Sequence, residues 1–432
     1  MICNQIDEST DAICVHNILF LKSIAFRNKN LGWKSYCIEF NFFQVMNITI
    51  KNREMKIAII TQPLRTNYGG ILQNFALQTV LRRMGHTPIT LQRDEFKKPI
   101  YPRYLLTLLK RLVLKIIGKY KYPLFYEQRY KSDYYVFTKH TLGFVNQHIV
   151  TRIVDYANPS LKESDFEAYV VGSDQVWRPS YNNIAFTFLL FTKYWNVKRC
   201  AYAASFGTDV WEFSPNDTEL CKVMANLFDA ISVREASGVG LCWDNLGVKA
   251  KHVLDPTLLL KREDYEKLIN EEETMPSDGK LFVHVLDKGI DKNNLIAMIS
   301  QSNKWKPFEV NCKADEHELN IPVEQRTQPP LGQWLRSFKE AEFVFTDSFH
   351  ATVFSIIFNK PFIVYANKER GAARFESLLS VFGLEDRIVY KSDDFDINKL
   401  NEINYVKVNS KLEGLRKESL YFLENGLQGN AK

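Results

Sequence analysis

The side chain best suited to catalysis in this sequence is His350. An apolar run at 343–345 precedes the polar turn 346–348, and the apolar segment 351–358 follows His350. This pattern predicts a buried strand, a turn and a buried helix, with His350 at the helix start and at the carboxyl edge of a parallel sheet. A histidine there can transfer protons near neutral pH beside an anion held by the helix amides. The alternative is that the turn only caps the helix and His350 is a core residue.

A second polar turn follows the apolar run 168–171. Gly172 permits close approach of a ligand to the backbone, and Ser173 and Asp174 offer hydrogen-bonding groups. Asp174 is a candidate base for a substrate hydroxyl group. The simpler explanation is a helix cap formed by Ser173.

Arg234 follows a third apolar run, 230–233, and would project from a strand end towards the same edge. An arginine there can bind a carboxylate or phosphate through two parallel hydrogen bonds. The alternative is an ion pair with Glu235 or another acidic residue.

A glycine-containing loop follows the first clear strand, 55–60, and leads into an amphipathic helix predicted over 72–84. A strand, a glycine loop and a helix together present backbone N–H groups to a phosphate or carboxylate. The loop matches neither GxGxxG nor a P-loop, so a tight turn that needs glycine remains the alternative. Its four candidate binding residues are Asn67, Tyr68, Gly69 and Gly70.

These turns are distributed over two α/β halves. The first half covers 55–265 and the second 280–400, with a linker between them, and a C-terminal helix and tail occupy 401–432. A chain of 432 residues is long for a single core, so two domains are expected. Because the polar turns of both halves stand at strand carboxyl ends, we expect them to face one cleft.

Residues 1–54 differ from the rest, because they are rich in Asn and Phe and show no clear periodicity. We expect an N-terminal extension, with a misassigned start codon as one explanation and Met55 or Met46 as the functional start. The other explanation is a genuine accessory segment.

Composition restricts the class of protein. Charged residues make up 25% of the chain and the net charge is +6, which suits anionic small molecules or an anionic membrane surface and does not argue for nucleic acid. The seven cysteines are scattered without a CxxC pair, so neither a zinc site nor a disulfide framework is predicted, and a cytoplasmic location fits. No metal-ligand cluster, membrane-spanning run or convincing signal peptide is recognisable.

The segment 103–122 reads as a basic amphipathic helix. Such a helix can lie on an anionic membrane surface, at the inner face of the membrane for a cytoplasmic protein. It can equally pack on the sheet with a solvated basic face. We favour packing, because packed helices are far commoner.

Several motifs occur together in one order, and the set resembles the polysaccharide pyruvyl transferase family from about Met55 to about Arg387. The motifs are Asn67-Tyr68-Gly69-Gly70, Gly172-Ser173-Asp174-Gln175-Val176-Trp177, Ser205-Phe206-Gly207, Ser232-Val233-Arg234-Glu235, Asp255-Pro256-Thr257 and Thr346-Asp347-Ser348-Phe349-His350.

The resemblance implies two Rossmann-like domains in a GT-B-like arrangement. It implies transfer of a pyruvyl group from phosphoenolpyruvate to sugar hydroxyls of a cell-surface polysaccharide precursor, with phosphoenolpyruvate as donor substrate and no cofactor. The acceptor would be nucleotide- or lipid-linked. His350 matches the family's general acid, and Arg234 matches its phosphoenolpyruvate clamp.

One position departs from the family. Characterised members often carry Arg-Leu-His at the histidine turn, where the arginine helps to hold phosphoenolpyruvate, whereas Ser348 stands there in this sequence. Arg370 or Arg374 could supply the missing charge. Two other functions stay open: a glycosyltransferase of similar architecture that uses a nucleotide sugar, and a non-catalytic glycan-binding protein.

Overall fold

The computed structural model describes residues 54–94, 96, 101–120, 122–366, 371–395 and 402–429. The predicted N-terminal extension, apart from Glu54, and the candidate residue Arg370 lie outside this described part. Residues Glu54–Lys432 form one compact unit.

The first half contains a seven-stranded parallel sheet in the order β3-β2-β1-β4-β5-β6-β7. Its strands are β1 (Lys56–Ile60), β2 (Thr87–Arg93), β3 (Thr151–Val154), β4 (Ala168–Val171), β5 (Lys198–Ala204), β6 (Ala230–Val233) and β7 (Lys251–His252). Its helices are α1 (Tyr68–Arg83), α2 (Tyr101–Ile116), α3 (Tyr126–Phe137), α4 (Lys139–His148), α5 (Ile184–Thr187), α6 (Pro215–Ala225), α7 (Ala236–Leu241) and α8 (Arg262–Glu271).

The second half contains a five-stranded parallel sheet in the order β12-β11-β10-β8-β9. Its strands are β8 (Leu281–His284), β9 (Pro307–Phe308), β10 (Phe343–Thr346), β11 (Phe362–Tyr365) and β12 (Ile388–Val389). Its helices are α9 (Ile290–Asn303), α10 (Val323–Arg326), α11 (Leu331–Glu340), α12 (Phe349–Ile357) and α13 (Ala373–Phe382), and α14 (Tyr405–Gln428) follows.

The central strands are short apolar runs that are buried on both faces, as the fully buried pattern of β4, β6, β8 and β10 shows. Parallel strands are typically continuous apolar runs because helices cover both sides of the sheet. The predicted fold class, α/β with two Rossmann-like domains in a GT-B-like arrangement, is confirmed.

The two halves share an apolar interface. The Tyr265 ring of α8 meets the Phe354 ring of α12 edge-on at 4.9 Å, and the rings of Tyr68 and Trp334 lie 5.5 Å apart. The C-terminal helix α14 contacts both halves, because Ser419 accepts a hydrogen bond from the amide of Leu254 at 3.1 Å while the Tyr405 hydroxyl donates to the carbonyl of Lys360.

Helix α2 corrects the preferred interpretation of 103–122. Its apolar side chains were expected to pack on the sheet, but most of them are exposed. The helix is held by the polar contact of Arg111 with Glu127 of α3. Across the described residues, no helix combines the length and the apolar character needed to cross a membrane.

Candidate active site

The strand order reverses at one point in each sheet, between β1 and β4 in the first and between β8 and β10 in the second. Open α/β sheets bind ligands at such switch points, outside the carboxyl ends of the strands. In the first sheet the hydroxyl of Thr61 donates to the carbonyl of Ser173 at 3.0 Å, which joins the loops after β1 and β4. In the second, the hydroxyl of Thr346 donates to the carbonyl of His284 at 2.7 Å.

The loops at both switch points border one cavity of about 340 Å³. Its walls therefore come from both halves of the chain. The lining residues are Thr66, Asn67, Tyr68, Gly69, Asp174, Gln175, His284, Leu286, Asn311, Gln328, Trp334, Asp347, Ser348, Phe349, His350, Arg374 and Phe375.

His350 is the second residue of α12 and is 7% exposed. Its ring lies against Gly69 so closely that a Cβ atom on that glycine would be 2.2 Å from both Cγ and Nδ1. The other ring nitrogen, Nε2, is 3.8 Å from Oδ2 of Asp255 and makes no hydrogen bond to the described residues. His350 is thus held between α1 of the first half and a buried carboxylate.

Burial lowers the pKa of His350 below its usual value, although the negative charges of Asp255 and Asp174 oppose this effect. The cations Arg234 and Arg374 add to the lowering. In the free protein the imidazole is therefore neutral at pH 7, and a negatively charged ligand beside it would favour the protonated form.

Behind the cavity wall, Arg234 lies between two buried aspartates. Its Nη1 donates to Oδ2 of Asp255 at 2.9 Å, and its Nη2 donates to Oδ1 of Asp174 at 3.2 Å. Burial alone would raise the pKa of each carboxyl group, but Arg234 acts together with the other positive charges and hydrogen bonds around each aspartate, and both pKa values are lowered. Both aspartates are therefore ionised at neutral pH.

This arrangement bears on the predicted role of Arg234 as an anion clamp. The Phe349 ring covers the guanidinium group, with its centroid 4.2 Å from Cζ, and Arg234 does not border the cavity that contains His350. In this geometry Arg234 fixes the two aspartates and does not reach the surface of the cavity that contains His350. A direct contact between Arg234 and the donor stays a prediction.

Arg374, at the start of α13, does border the cavity. Gly371, three residues before Arg374, has φ +91° and lies so close to the Gly207 carbonyl of the first half that a Cβ would be 2.2 Å from its oxygen. Arg374 also borders an adjoining cavity of about 470 Å³, together with Arg178 and Lys292.

Two predicted binding residues of the first loop have structural partners, one within the loop and one in the second half of the chain. Asn67 caps α1 by accepting a hydrogen bond from the Gly70 amide at 3.1 Å, and the Tyr68 hydroxyl donates to the carbonyl of Pro329 at 2.7 Å. Asn67, Tyr68 and Gly69 border the cavity, whereas Gly70 does not.

Two further candidates are helix caps or buried supports. Ser348 caps α12, with its Oγ accepting from the Ala351 amide at 3.4 Å, and it borders the cavity. Ser173 is fully buried, and its Oγ lies 3.0 Å from Oδ2 of Asp255 and 3.1 Å from the Ala203 carbonyl oxygen. Ser173 therefore stabilises the aspartate and does not reach the cavity.

Two site residues were absent from the sequence-based set. Asp255 appeared only within the motif Asp255-Pro256-Thr257, although its position after a short apolar run and before a proline was a usable signal. His284 ends β8 at the second switch point, where it accepts a hydrogen bond from Trp334 Nε1 at 3.3 Å. Burial lowers the pKa of His284 to about 4, so this ring stays neutral.

Comparison with solved structures shows similar folds at low identity. A glycosyltransferase from Rickettsia africae is 10% identical, with 88% of this chain and 96% of that chain covered and a TM-score of 0.42. Arabidopsis thaliana UGT89C1 complexed with UDP-L-rhamnose is 9% identical, with coverages of 88% and 99% and a TM-score of 0.47. A UDP-GlcNAc 2-epimerase from Neisseria meningitidis is 10% identical, with coverages of 87% and 98% and a TM-score of 0.41. At these scores, the likenesses carry no functional argument.

The sequence comparisons are more specific. No curated protein sequence matches the chain significantly. The family model for polysaccharide pyruvyl transferase matches residues 67–369, which is most of the chain and extends from the α1 cap at Asn67 past His350. The chain therefore belongs to the polysaccharide pyruvyl transferase family of transferase enzymes.

Proposed function

We propose that this protein transfers a pyruvyl group from phosphoenolpyruvate to sugar hydroxyls of a cell-surface polysaccharide precursor, with His350 as general acid. The observation that carries the proposal is the position of His350 in the shared cavity. Its ring faces the start of α1 on one side and the carboxylate of Asp255 on the other, and Arg374 borders the same cavity.

The donor carries a carboxylate and a phosphate close together, and the cavity is suited to anions. Two helices begin at its wall, α1 with Tyr68 and Gly69 and α12 with Phe349 and His350. The first amides of a helix lack intrahelical partners and bind negative charge. Together with Arg374, these two helix starts offer an anion site without the arginine that characterised members often carry at the Ser348 position.

The reaction begins with proton transfer from the His350 imidazolium to the methylene carbon of the enol. This leaves an oxocarbenium-like carbon, which a sugar hydroxyl attacks while giving up its proton. Departure of phosphate regenerates an oxocarbenium-like carbon. A second sugar hydroxyl attacks this carbon and passes its proton to the departing phosphate, which completes a cyclic ketal. Asp174, which borders the cavity and is ionised, is our candidate for accepting the hydroxyl proton.

Donor binding and proton transfer are linked through charge. His350 is neutral in the free protein because burial lowers its pKa. The negative charges of bound phosphoenolpyruvate would raise that pKa, so the general acid would become protonated together with donor binding. The side chain is thus charged when the donor is in place to receive the proton.

The adjoining cavity is our candidate for the acceptor. Its wall combines the aromatic rings of Tyr181, Tyr365 and Phe375 with the cations Arg178 and Lys292. Aromatic rings suit a sugar face, and the cations suit a diphosphate, so a nucleotide- or lipid-linked acceptor fits. A cytoplasmic enzyme at the inner face of the membrane would meet such a precursor.

Calorimetric titration with phosphoenolpyruvate tests the donor assignment. We expect saturable binding to the wild type and loss of about one order of magnitude or more in affinity for Arg374→Gln, because a charge-assisted contact is removed. Arg83→Gln is the matched control, since this arginine pairs with Asp264 on the surface, outside both cavities. Tight binding of a nucleotide sugar, with no binding or turnover of phosphoenolpyruvate, would overturn the reaction class.

Phosphate release with a panel of glycan acceptors tests the general acid. We expect His350→Gln to bind phosphoenolpyruvate and to lower kcat by roughly 10²–10⁴-fold, the range for loss of a general acid. Wild-type phosphate release by this variant would reject the role of His350.

A further inference from the structure

Helix α2 has the opposite orientation to a surface helix of an ordinary globular protein. Such a helix turns its apolar stripe towards the core and its charges towards solvent. In α2 and the residue after it, the large apolar side chains are between 43% and 76% exposed. They are Leu105, Leu106, Leu109, Leu112, Val113, Ile116 and Ile117. At about 100° per residue these side chains share one arc of roughly 140°.

The opposite side of α2 is attached through a charged residue. Arg111 donates to both carboxylate oxygens of Glu127 at 2.7 and 2.5 Å and to the Leu124 carbonyl at 3.3 Å. Its guanidinium carbon also lies 5.8 Å from the centroid of the Tyr120 ring. The polar contact with α3 thus fixes the helix with its apolar arc outwards.

Lysines border the exposed arc on both sides. Lys110 stands at one edge, Lys115 stands at the other, Lys119 follows the end of the helix, and all three are exposed. The segment 96–126 contains eight Lys and Arg residues and no Asp or Glu, whereas the whole chain has a net charge of only +6. The rest of the chain is therefore slightly acidic, and the net positive charge of the protein is concentrated in this segment.

We propose that α2 docks the enzyme on the surface of an anionic bilayer, with its apolar arc at the acyl boundary and its lysines at the headgroups. An amphipathic helix with a basic border binds such surfaces through buried apolar area and attraction to anionic lipid. With 16 residues α2 is about 24 Å long, and it lies in the interface plane without spanning the bilayer.

Charge complementarity selects the bilayer over the other possible occupants. A second copy of α2 would bring two lysine borders together, which is unfavourable. The N-terminal segment 1–53 contains six Lys and Arg and four Asp and Glu residues, so it too is net basic. An anionic lipid surface complements both the apolar arc and its border.

Hydrogen bonds connect α3, the helix that holds α2, to the rim of the cavity. The Tyr126 hydroxyl of α3 lies 2.7 Å from Nδ1 of His317, and the Tyr130 hydroxyl donates to Glu316 at 3.2 Å. Glu316 in turn accepts from the hydroxyl of Thr66, which lines the cavity, at 3.0 Å. Docking through α2 would therefore join the cavity rim to the membrane surface, whatever reaction the cavity performs.

Vesicle co-sedimentation of the full chain tests the proposal. We expect binding to phosphatidylcholine vesicles that contain phosphatidylglycerol, little binding to phosphatidylcholine alone, and weaker binding as salt is raised. The triple substitution Lys110→Gln, Lys115→Gln and Lys119→Gln should weaken binding about 100-fold, from about fivefold for each charge. Removing the same charge from α14 with Lys407→Gln, Lys411→Gln and Lys417→Gln should leave binding unchanged.

A second variant tests the apolar arc. Leu106, Leu109 and Val113 are 57% to 67% exposed, so their replacement by Gln should preserve folding and abolish vesicle binding. Val406→Gln, at an 84% exposed position of α14, is the matched control.

Equal vesicle binding by wild type and both α2 variants would overturn the proposal, as would a wild type that ignores anionic vesicles. A fall in oligomeric mass in either variant, with vesicle binding retained, would assign the arc to a second copy and also overturn it. Titration with phosphoenolpyruvate in the absence of lipid reports separately on the cavity, so failure of one proposal is distinguishable from failure of the other.

Discussion

The contact between Gly69 and the His350 ring makes the sharpest prediction about the site. A Cβ at position 69 would lie 2.2 Å from Cγ and Nδ1 of His350 and 2.5 Å from its Cβ. Carbon atoms in contact are normally about 3.5–4.0 Å apart, so Gly69→Ala must move the ring or α1 by roughly 1 Å. The ring is buried and belongs to a helix that is itself buried, which leaves little room for relaxation.

A displacement of about 1 Å at a reacting group can cost about 100-fold in rate. We therefore expect Gly69→Ala to lower kcat by about two orders of magnitude while phosphoenolpyruvate still binds. Overpacking typically costs about 1–3 kcal/mol, partly offset by the helix propensity that alanine gains over glycine. The variant should consequently remain folded, as a thermal unfolding scan would verify.

Gly70→Ala is the matched control. Its Cβ would meet nothing closer than Nδ2 of Asn67 at 3.4 Å, which is an ordinary contact. This variant lies in the same turn of α1, and it should keep wild-type kcat and gain up to about 1 kcal/mol of stability. Phosphate release assays on both variants decide the matter: equal rates for Gly69→Ala and Gly70→Ala would refute the assigned contact or the need for His350.

Three further predictions concern charge. If His350 is the general acid, kcat/KM should fall as pH rises through the pKa of the free enzyme, which burial holds below 6.5. The fall in kcat should occur at higher pH, because the bound donor favours the imidazolium form. If kcat and kcat/KM fell at the same pH, the link between donor binding and protonation would be contradicted. Arg234→Met leaves Asp174 and Asp255 buried without their cation, so the free energy of unfolding, measured in urea, should decrease by about 3–5 kcal/mol. A decrease of less than about 1 kcal/mol would argue against the ion pairs. The pKa of His284 is lowered to about 4 in the folded protein, so as pH falls the unfolded state takes up a proton at this histidine before the folded state does. The free energy of unfolding should therefore decrease by about 3 kcal/mol between about pH 7 and about pH 4. His284→Asn should remove most of that decrease, measured by urea unfolding at both pH values.

Local sequence pattern predicted the site elements well where short-range periodicity decides them. The strand expected at 343–345 is β10 (Phe343–Thr346), and the helix expected at 351–358 is α12 (Phe349–Ile357). The same holds for the strand and helix around the first glycine loop, β1 and α1. A buried apolar run bounded by polar residues and glycine leaves few alternatives to a strand or helix.

Burial of individual charged residues was not predictable in this way. A strand-end arginine can face a cavity or lie under it. Arg234, which follows β6, lies under it because Asp174 after β4 and Asp255 after β7 reach its guanidinium group from the two sides of β6 in the sheet. The prediction that the apolar face of α2 packs on the sheet was wrong for a related reason. Its periodicity defined an apolar arc, but the contact between Arg111 and Glu127 determined which side faces the protein.

The sequence by itself determined that this chain forms two α/β halves, that His350 stands at a helix start on a sheet edge, and that its ordered motifs belong to polysaccharide pyruvyl transferases. Tertiary structure alone decided which residues meet His350. Gly69 and Asp255 are 281 and 95 positions away in the chain, and they reach the ring only because two parallel sheets align their switch points across one cavity. Local propensity carries no information about such pairs, since packing between the halves creates them.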